Sequence, residues 1–261
     1  MAREKFINGT TNFETWRDTR NDNSKYIARM YVINAMRGKA ELTTADEIAL
    51  VNTIMVSEMT GKLTGFYSIS TSVLMNDRCQ ARAKNPDTIC ARCYAAASLN
   101  NYDGLMEATE TNHYILNEFL ISSDAWQVLA VPTTNGFFRI EAFGDVASVT
   151  CCRNYIRIIR THSFIRFGVW TKNPDLWIKA FELESGKPEN MSFIVSSIFV
   201  NQRADVPETY AKYVDHVFTV FNNKEIKEKK ININCGSRDC NGCRNCYAAD
   251  SNEYDIREKL K

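Results

Sequence analysis

The sequence predicts an α/β protein, a partial (open) TIM-like barrel with mostly parallel strands. Three observations lead to this prediction. From residue 137 onward, short apolar segments typical of strands alternate with segments of helical spacing, as they do in parallel sheets and barrels. Before residue 58 the apolar spacing is helical, and after residue 231 the chain is rich in cysteine.

The chain therefore divides into three parts. Residues 1–58 are predicted to form a helical N-terminal module, and residues 59–230 the α/β partial barrel. Residues 231–261 are predicted to form a cysteine-rich metal-binding C-terminal segment. With 261 residues and 44% apolar content, the chain is long enough to bury a sizeable core.

Two helices are predicted in the N-terminal module. In the first, Ile27, Met30 and Tyr31 have the spacing of one helical face. Thr44, followed by Glu47 three residues later, predicts the capping box of the second helix.

The barrel elements follow from apolar periodicity and turn residues. Strands are predicted at residues 66–70, 137–143, 164–170, 192–200 and 216–221. Helices are predicted from about residue 105, near 149–161, from 174 and at 207–213. The charged tail from Ser251 is predicted to be a surface helix.

Polar residues follow two of the predicted strands. Gly144 and Asp145 come after the second strand, and Thr171 and Lys172 come after the third. Ligands of parallel α/β folds bind at the carboxyl ends of strands, so these four residues are candidates for binding a cofactor or substrate. The alternative is that Asp145 is a plain turn residue and Lys172 a plain surface lysine.

A first group of cysteines follows the first predicted barrel strand. This first cysteine group consists of Cys79, Cys90 and Cys93, with ten residues between the first two. Three thiolates fill three corners of a 4Fe–4S cluster and leave one iron open. The surrounding polar and cationic residues favour thiolates over a buried pair of cysteines, although free cysteine also packs as a small apolar residue.

A second group of cysteines lies near the C-terminus. This second cysteine group, within twelve positions, consists of Cys235, Cys240, Cys243 and Cys246. The short spacing is closer to a ferredoxin run than to the two separated hooks of a zinc ribbon. An iron–sulfur cluster is the first interpretation, and zinc is the alternative because thiolates bind both.

The remaining candidate ligands have weaker patterns. Cys151 and Cys152 are adjacent at the start of a predicted helix, where neighbouring residues point in different directions. They rank below the other seven cysteines as ligands. His113, His162 and His216 are scattered, and their spacing matches no metal motif.

Composition restricts the class of partner. The formal net charge is +1, which provides no general reason to expect nucleic acid or membrane binding. No apolar run approaches the roughly 20 residues of a membrane helix, and no signal peptide is visible. We therefore expect a cytoplasmic protein whose partner is an unidentified substrate or protein. In that reducing compartment, closely spaced cysteines indicate metal or redox chemistry.

Several motifs together resemble the phage gene-product-88-like proteins. The similarity covers about residues 60–247 and depends on Cys79, the Cys-x-x-Cys-Tyr-Ala run at 90–95, the segment 138–145 and the strand end 170–172. This chain departs from that family at two positions. Glu141 stands where the family usually has histidine, and Phe143 where it has serine.

The resemblance implies a function. The gene-product-88-like family looks like a distant, shortened relative of radical S-adenosylmethionine (SAM) enzymes, which use three cysteines, an open barrel and often further clusters. It implies a phage-encoded iron–sulfur protein of the host cytoplasm, with one or two 4Fe–4S clusters and SAM as a further cofactor. The alternative is a non-enzymatic, metal-stapled protein, with zinc or iron–sulfur, that acts on a host partner.

Overall fold

A single mostly parallel sheet runs through the protein. The computed structural model describes residues 24–236, 239–247 and 254–260, and within these the sheet has seven strands in sequence order. They are β1 (Ser57–Glu58), β2 (Tyr67–Ile69), β3 (Phe137–Ile140), β4 (Arg166–Thr171), β5 (Met191–Ser196), β6 (His216–Phe221) and β7 (Asp255–Lys259). Only β1 is antiparallel to its neighbour, and β1 and β7 form the two edges. The prediction of an α/β protein with an open, mostly parallel sheet is confirmed.

The helices connect these strands. They are α1 (Ser24–Arg37), α2 (Thr44–Val51), α3 (Asp77–Ala83), α4 (Tyr94–Asn101), α5 (Asp103–Glu118), α6 (Ser123–Trp126), α7 (Val149–Thr161), α8 (Pro174–Leu183), α9 (Glu208–Ala211), α10 (Asn223–Glu228) and α11 (Cys240–Cys243). Single turns of 3₁₀ helix lie at Gly61–Leu63, Ile89–Arg92 and Asn245–Tyr247.

The main core lies between one face of the sheet and the helices. Alternate strand residues point to opposite faces, and Phe138, Phe167 and Phe193 point to this one. There they belong to the same buried cluster as Tyr155 of α7 and Trp177 of α8. Helices α1 and α2 add Ile33 and Leu50 to the same cluster.

The other face, which we call the Arg139 face, carries Arg139, Gly168 and Trp170. The Tyr247 ring covers its middle, 5.6 Å from the ring of Trp170 between centroids. Glycine at 168 makes room for this ring, because an added Cβ would lie 2.5 Å from Tyr247 Cε1. The C-terminal segment is therefore packed onto the sheet itself.

The buried stripe of α1 differs from the predicted one. Ile27 and Tyr31 are 45% and 75% exposed, whereas Tyr26 and Ile33 are buried. The Tyr26 hydroxyl donates to Glu110 Oε2 of α5 at 2.8 Å, so a polar contact with α5 decides which stripe faces inward. The first 23 residues of the predicted module lie outside the described residues.

The capping box of α2 lies one residue earlier than predicted. Thr43 and Asp46 form it, with Thr43 N donating to Asp46 Oδ2 at 3.0 Å. Glu47 is used elsewhere, because its carboxylate accepts hydrogen bonds from the backbone N–H and hydroxyl of Ser122. Glu47 therefore makes a tertiary contact with Ser122 instead of the local capping contact that the sequence predicts.

The tail prediction is wrong from residue 255 onward. Residues 255–259 form strand β7, parallel to β6 with Ile256 opposite Phe218, instead of a surface helix. Glu, Arg and Lys favour a helix locally, but the unpaired edge of β6 offers a full ladder of backbone hydrogen bonds. The predicted helix residues 251–253 lie outside the described part of the chain.

Two predicted strands end earlier than expected. Strand β3 stops at Ile140 because Glu141 adopts a positive φ of 56°, a left-handed conformation incompatible with a strand. Strand β5 stops at Ser196 rather than at residue 200.

Among the described residues, no helix has the length and apolar character required to cross a membrane.

We expect Gly168→Ala to destabilise the protein. The new methyl group would lie 2.5 Å from Tyr247 Cε1 and 2.6 Å from Trp170 Cζ3, so the C-terminal segment must shift. Overpacking of this kind costs about 1–3 kcal/mol, measurable as a lower urea midpoint. Gly104→Ala in α5 is the matched control, because an added Cβ there meets nothing within 4 Å. A G168A midpoint equal to that of wild type would contradict the packing of Tyr247 on β4.

Candidate functional site

The first cysteine group lies on three short elements that follow β2. Cys79 is in α3, Cys90 is in the 3₁₀ turn Ile89–Arg92, and Cys93 is the N-cap of α4. The Asn76 side chain caps α3 by accepting from Cys79 N, and Thr88 caps the turn before Cys90. Local capping therefore fixes the backbone on which each thiol is carried.

This cysteine loop is bound to the carboxyl edge of the sheet. Asn76 Nδ2 donates to Asp145 O at 2.7 Å. Arg82 donates to Lys172 O at 2.9 Å and to Asn173 Oδ1 at 2.8 Å. The loop therefore contacts the segments that follow β3 and β4.

The three thiols of the first cysteine group are electrostatic neighbours. Burial raises the pKa of the Cys79 thiol, and nearby Asp145, Cys90 and Cys93 raise it further, whereas Lys172 lowers it. Burial also raises the pKa of Cys90, against the effects of Lys172 and Arg82. Two cations thus oppose the desolvation of the thiolates in this group.

Asp145 holds the ends of β3 and β4 together. Its Oδ1 accepts from the Thr171 hydroxyl at 2.7 Å and from Val146 N at 2.9 Å, and its Oδ2 accepts from Lys172 N at 2.8 Å. Both carboxylate oxygens of Asp145 are therefore engaged within the protein. Asp145 and Thr171 are buried, while the cationic side chain of Lys172 acts on the thiols.

Gly144 is required by the turn after β3. An added Cβ at this position would overlap Glu141 Oε2 and the carbonyl oxygen of Thr71. The four predicted residues at the strand ends are thus brought together. Three of them, Gly144, Asp145 and Thr171, shape the edge, and Lys172 faces the cysteine loop.

Glu141 belongs to this site, although the sequence did not predict it as a site residue. Its carboxylate is buried and accepts from Thr71 N at 2.9 Å, from the Thr71 hydroxyl at 2.7 Å and from the Tyr155 hydroxyl at 2.8 Å. Burial raises its pKa to about 7, against these hydrogen bonds. The signal in the sequence was its departure from the usual histidine of the resembling family.

The second cysteine group is also an electrostatic cluster. Burial, together with Cys235, Cys240 and Cys243, raises the pKa of Cys246 to about 12, although Arg139 acts to lower it. The four thiols are thus neighbours. We call residues 234–247 the cysteine segment, of which 237 and 238 lie outside the described residues.

Lys62 is in direct contact with this second group. Its Nζ lies 3.2 Å from Cys235 Sγ and 2.9 Å from Glu258 Oε1. Glu258 and Cys235 raise the pKa of Lys62 more than burial lowers it, so the lysine is cationic. A lysine beside the thiols is suited to balance the charge of thiolate ligands.

The cysteine segment is docked on the Arg139 face by its backbone as well as by Tyr247. The Ser192 hydroxyl donates to Cys246 O at 2.7 Å, and Arg166 Nε donates to Tyr247 O at 2.9 Å. The Arg139 guanidinium carbon lies 3.1 Å from the ring centroid of Trp170, a cation–π contact. Arg139 is thereby held next to the second cysteine group.

Tyr94 lies between the two cysteine groups. Its hydroxyl donates to Ala142 O at 2.5 Å, and the side chain is 64% exposed. The charged groups that act on its phenol are Arg139, Lys172, Cys93 and Glu258. They include neighbours of both cysteine groups.

The remaining predicted candidates are placed elsewhere. Cys151 and Cys152 are fully buried in the main core on α7. His113 is buried with its pKa lowered to about 4 by desolvation, and both ring nitrogens of His162 contact backbone oxygens. All nine cysteines are free thiols. In the described part of the chain, no three His, Cys, Asp or Glu side chains are arranged as ligands of one metal ion.

We expect Glu141→Gln to change the pH dependence of stability. The carboxyl pKa is raised from its ordinary 4.5 to about 7 by burial, so the folded state holds a proton that the unfolded state has lost. Stability from this group is therefore present below pH 4.5 and is lost as pH rises toward 7. Between pH 5 and pH 8 wild type should lose about 2 kcal/mol that E141Q does not lose, measured by urea unfolding.

Glu184→Gln is the control for this experiment. Hydrogen bonds from Arg157 and Arg153 outweigh burial and lower the Glu184 pKa, so its contribution changes only below pH 4.5. E184Q should shift stability equally at pH 5 and pH 8. Parallel curves for wild type and E141Q over this range would show that Glu141 is ionised in the folded protein.

Comparison with known proteins identifies the family of the chain. The sequence profile of the gene product 88 family matches residues 33–256, which include both cysteine groups and the carboxyl edge described above. No curated protein matches the chain. No solved structure matches it either. The chain belongs to the gene product 88 family of bacteriophage proteins.

Proposed function

We propose that the protein is an iron–sulfur protein of the radical SAM type, with an open 4Fe–4S cluster at the first cysteine group. The main support is that three thiols, those of Cys79, Cys90 and Cys93, are neighbours at the carboxyl edge of parallel strands. Ligands of such folds bind at this edge. The sequential order of β2 to β7 is also the strand order of a partial TIM-like barrel.

The chemistry of the donor set fits a cluster. Thiolates are the ligands of iron–sulfur clusters, and cations favour thiolates. Lys172 and Arg82 supply those cations here. Burial raises the pKa of Cys79 and Cys90, so binding of iron would release protons from them.

Among the described residues, the nearest candidates for a fourth ligand to the first group are engaged elsewhere. Cys151 and Cys152 are buried in the main core, and both carboxylate oxygens of Asp145 accept hydrogen bonds from β3 and β4 ends. A cluster held by three cysteines keeps one iron open. When bound with SAM and reduced, such a cluster supplies cleavage of the sulfonium and a carbon radical.

The protein residues around the site would orient and enclose the cofactor. Asn76 and Arg82 hold the cysteine loop against the strand ends, which fixes the direction of the three thiols. Tyr94 follows Cys93 directly and is joined to the segment after β3 by its hydrogen bond to Ala142 O. The Asp145 carboxylate holds the backbone of Lys172 in place by accepting a hydrogen bond from its N–H group.

For the second cysteine group we propose a closed metal site with four thiolate ligands. A second 4Fe–4S cluster is the first candidate, and zinc is the alternative because the set is thiolate-only. Lys62 and Arg139 lie beside these thiols and would offset their negative charge. We further infer that the protein acts in the reducing host cytoplasm, since its cysteines are free thiols.

If zinc alone occupies the second group and the first stays empty, a non-enzymatic, metal-stapled protein acting on a host partner becomes the better description. The mutual influence of the four thiols supports this second function, because zinc sites with four cysteine ligands are commonly structural. Colourless protein with stoichiometric zinc after anaerobic purification would decide in its favour.

The first test is SAM cleavage. Protein reconstituted anaerobically with iron and sulfide is reduced with dithionite and mixed with SAM. We expect 5′-deoxyadenosine and a changed electron paramagnetic resonance signal of the cluster, because an open iron accepts SAM. An intact cluster with neither change would exclude SAM cleavage and leave a binding or electron-transfer role.

The second test assigns metal to each cysteine group. Cys90→Ala should lose iron from the first group only, and Cys243→Ser should lose metal from the second group only, because the groups use separate thiols. Cys151→Ala is the matched control, since it also removes one thiol but from the core. Iron, sulfide and zinc per chain are measured in the folded fraction. Unchanged metal content in C90A or C243S would remove that group from the assignment.

A further inference from the structure

The two edges of the sheet come close together. In a flat sheet of seven strands, β1 and β7 would lie roughly 29 Å apart, given about 4.8 Å between neighbouring strands. Lys62, in the turn between β1 and β2, nevertheless donates to Glu258 Oε1 of β7 at 2.9 Å. The sheet is therefore strongly curved, and the seam between its edges is narrow.

The cysteine segment contacts the β7 side of this seam. Cys235 N donates to Arg257 O at 3.0 Å, and Arg257 N donates to Asn234 Oδ1 at 2.7 Å. Asn234 Nδ2 also donates to Asp255 O at 2.9 Å. One backbone bond and two bonds of the Asn234 side chain therefore hold the cysteine segment against β7.

The same segment contacts the β1–β2 side. Cys240 and Cys246 pack in one cluster with Met59, Leu63 and Phe66 of the first hairpin. Polar contacts join them through Asn135, whose Nδ2 donates both to Asn241 Oδ1 at 2.9 Å and to Gly65 O at 3.0 Å. The cysteine segment and the β1–β2 hairpin are therefore distant in sequence but adjacent at the seam.

The thiols are divided between the two sides. Cys235 follows the residue that pairs with β7, while Cys240 and Cys246 pack against the first hairpin. Lys62 joins the sides once more, because its ammonium contacts both Cys235 Sγ and Glu258. One metal centre on these thiols would therefore hold ligands from both sides at fixed distances.

We propose that the second cysteine group is a metal-dependent clasp that closes the seam between the β1–β2 hairpin and β7. This inference rests on the proposed metal site at Cys235, Cys240, Cys243 and Cys246. The clasp limits how far the two edges of the sheet can separate. Free energy of metal binding is coupled to structure wherever the ligands come from separate segments.

Amide hydrogen exchange tests the clasp. Full-length protein is reconstituted anaerobically with iron and sulfide, and exchange is followed in peptides covering residues 55–70 and 254–260. Removal of the second metal by Cys243→Ser should speed exchange at least about tenfold in both peptides, because metal binding stabilises only the closed form. Cys90→Ala, which affects the first group, should leave both edges protected.

The result separates the clasp from the metal site itself. Metal content of each sample is measured in parallel. Faster exchange in C243S confined to the cysteine segment, with both edges unchanged, would overturn the clasp but leave the metal site standing. A wild-type chain that takes up no metal at these thiols would contradict the proposed site and the clasp together.

Lys62→Met provides a second variant that keeps all four thiols. In the fraction that holds metal, this variant should speed exchange in the 254–260 peptide, because the contact with Glu258 is lost. Lys187→Met is the matched control, since Lys187 makes an ion pair of similar exposure with Asp215 at 2.6 Å, outside the seam. Equal exchange at residues 254–260 in K62M and K187M would count against the role of Lys62 in the clasp.

Discussion

The carboxyl edge of the sheet depends on the Asp145 carboxylate. Its two oxygens accept from Thr171, Val146 and Lys172, and its backbone carbonyl accepts from Asn76. These bonds connect the end of β3, the end of β4 and the start of the first cysteine loop. A buried carboxylate is costly unless it is fully hydrogen-bonded, so the edge can form only when all three segments are in place.

Glu141 performs a related task beneath the same edge. It joins Thr71 after β2 to Tyr155 of α7, and its position also requires glycine at 144. Two acidic side chains therefore shape the backbone around the first cysteine group. Asp145 also raises the pKa of the Cys79 and Cys90 thiols, and Lys172 acts on both in the opposite direction.

The two cysteine groups have different relations to the sheet. The first group is carried by short capped elements over the strand ends, whereas the second lies on a segment packed against the Arg139 face and both sheet edges. Both groups contain a Cys-x-x-Cys-Tyr-Ala-Ala sequence, at residues 90–96 and 243–249, and this repetition does not indicate the difference. Tyr94 is 64% exposed, while Tyr247, its counterpart, is buried over Gly168.

Much of the fold was predictable because its determinants are local. Apolar runs bounded by Gly, Pro and Asn located β3 to β6, and the alternation with helices indicated parallel strands. The ends of individual helices and strands, and the faces that they bury, were less predictable. Glu47 accepts a hydrogen bond from Ser122, and Tyr26 donates one to Glu110. In both contacts the two residues are far apart in sequence. Glu141 ends β3 because its backbone is left-handed.

Periodicity and spacing along the chain were enough to predict the fold class, the central strands and the division of seven cysteines into two groups. Three features became clear only once the chain had folded. The tail is a strand, Cys151 and Cys152 lie in the core, and the second group lies between the two sheet edges. Such outcomes depend on which backbone edge or cavity remains for a segment after the rest of the chain has packed, and no local pattern encodes that.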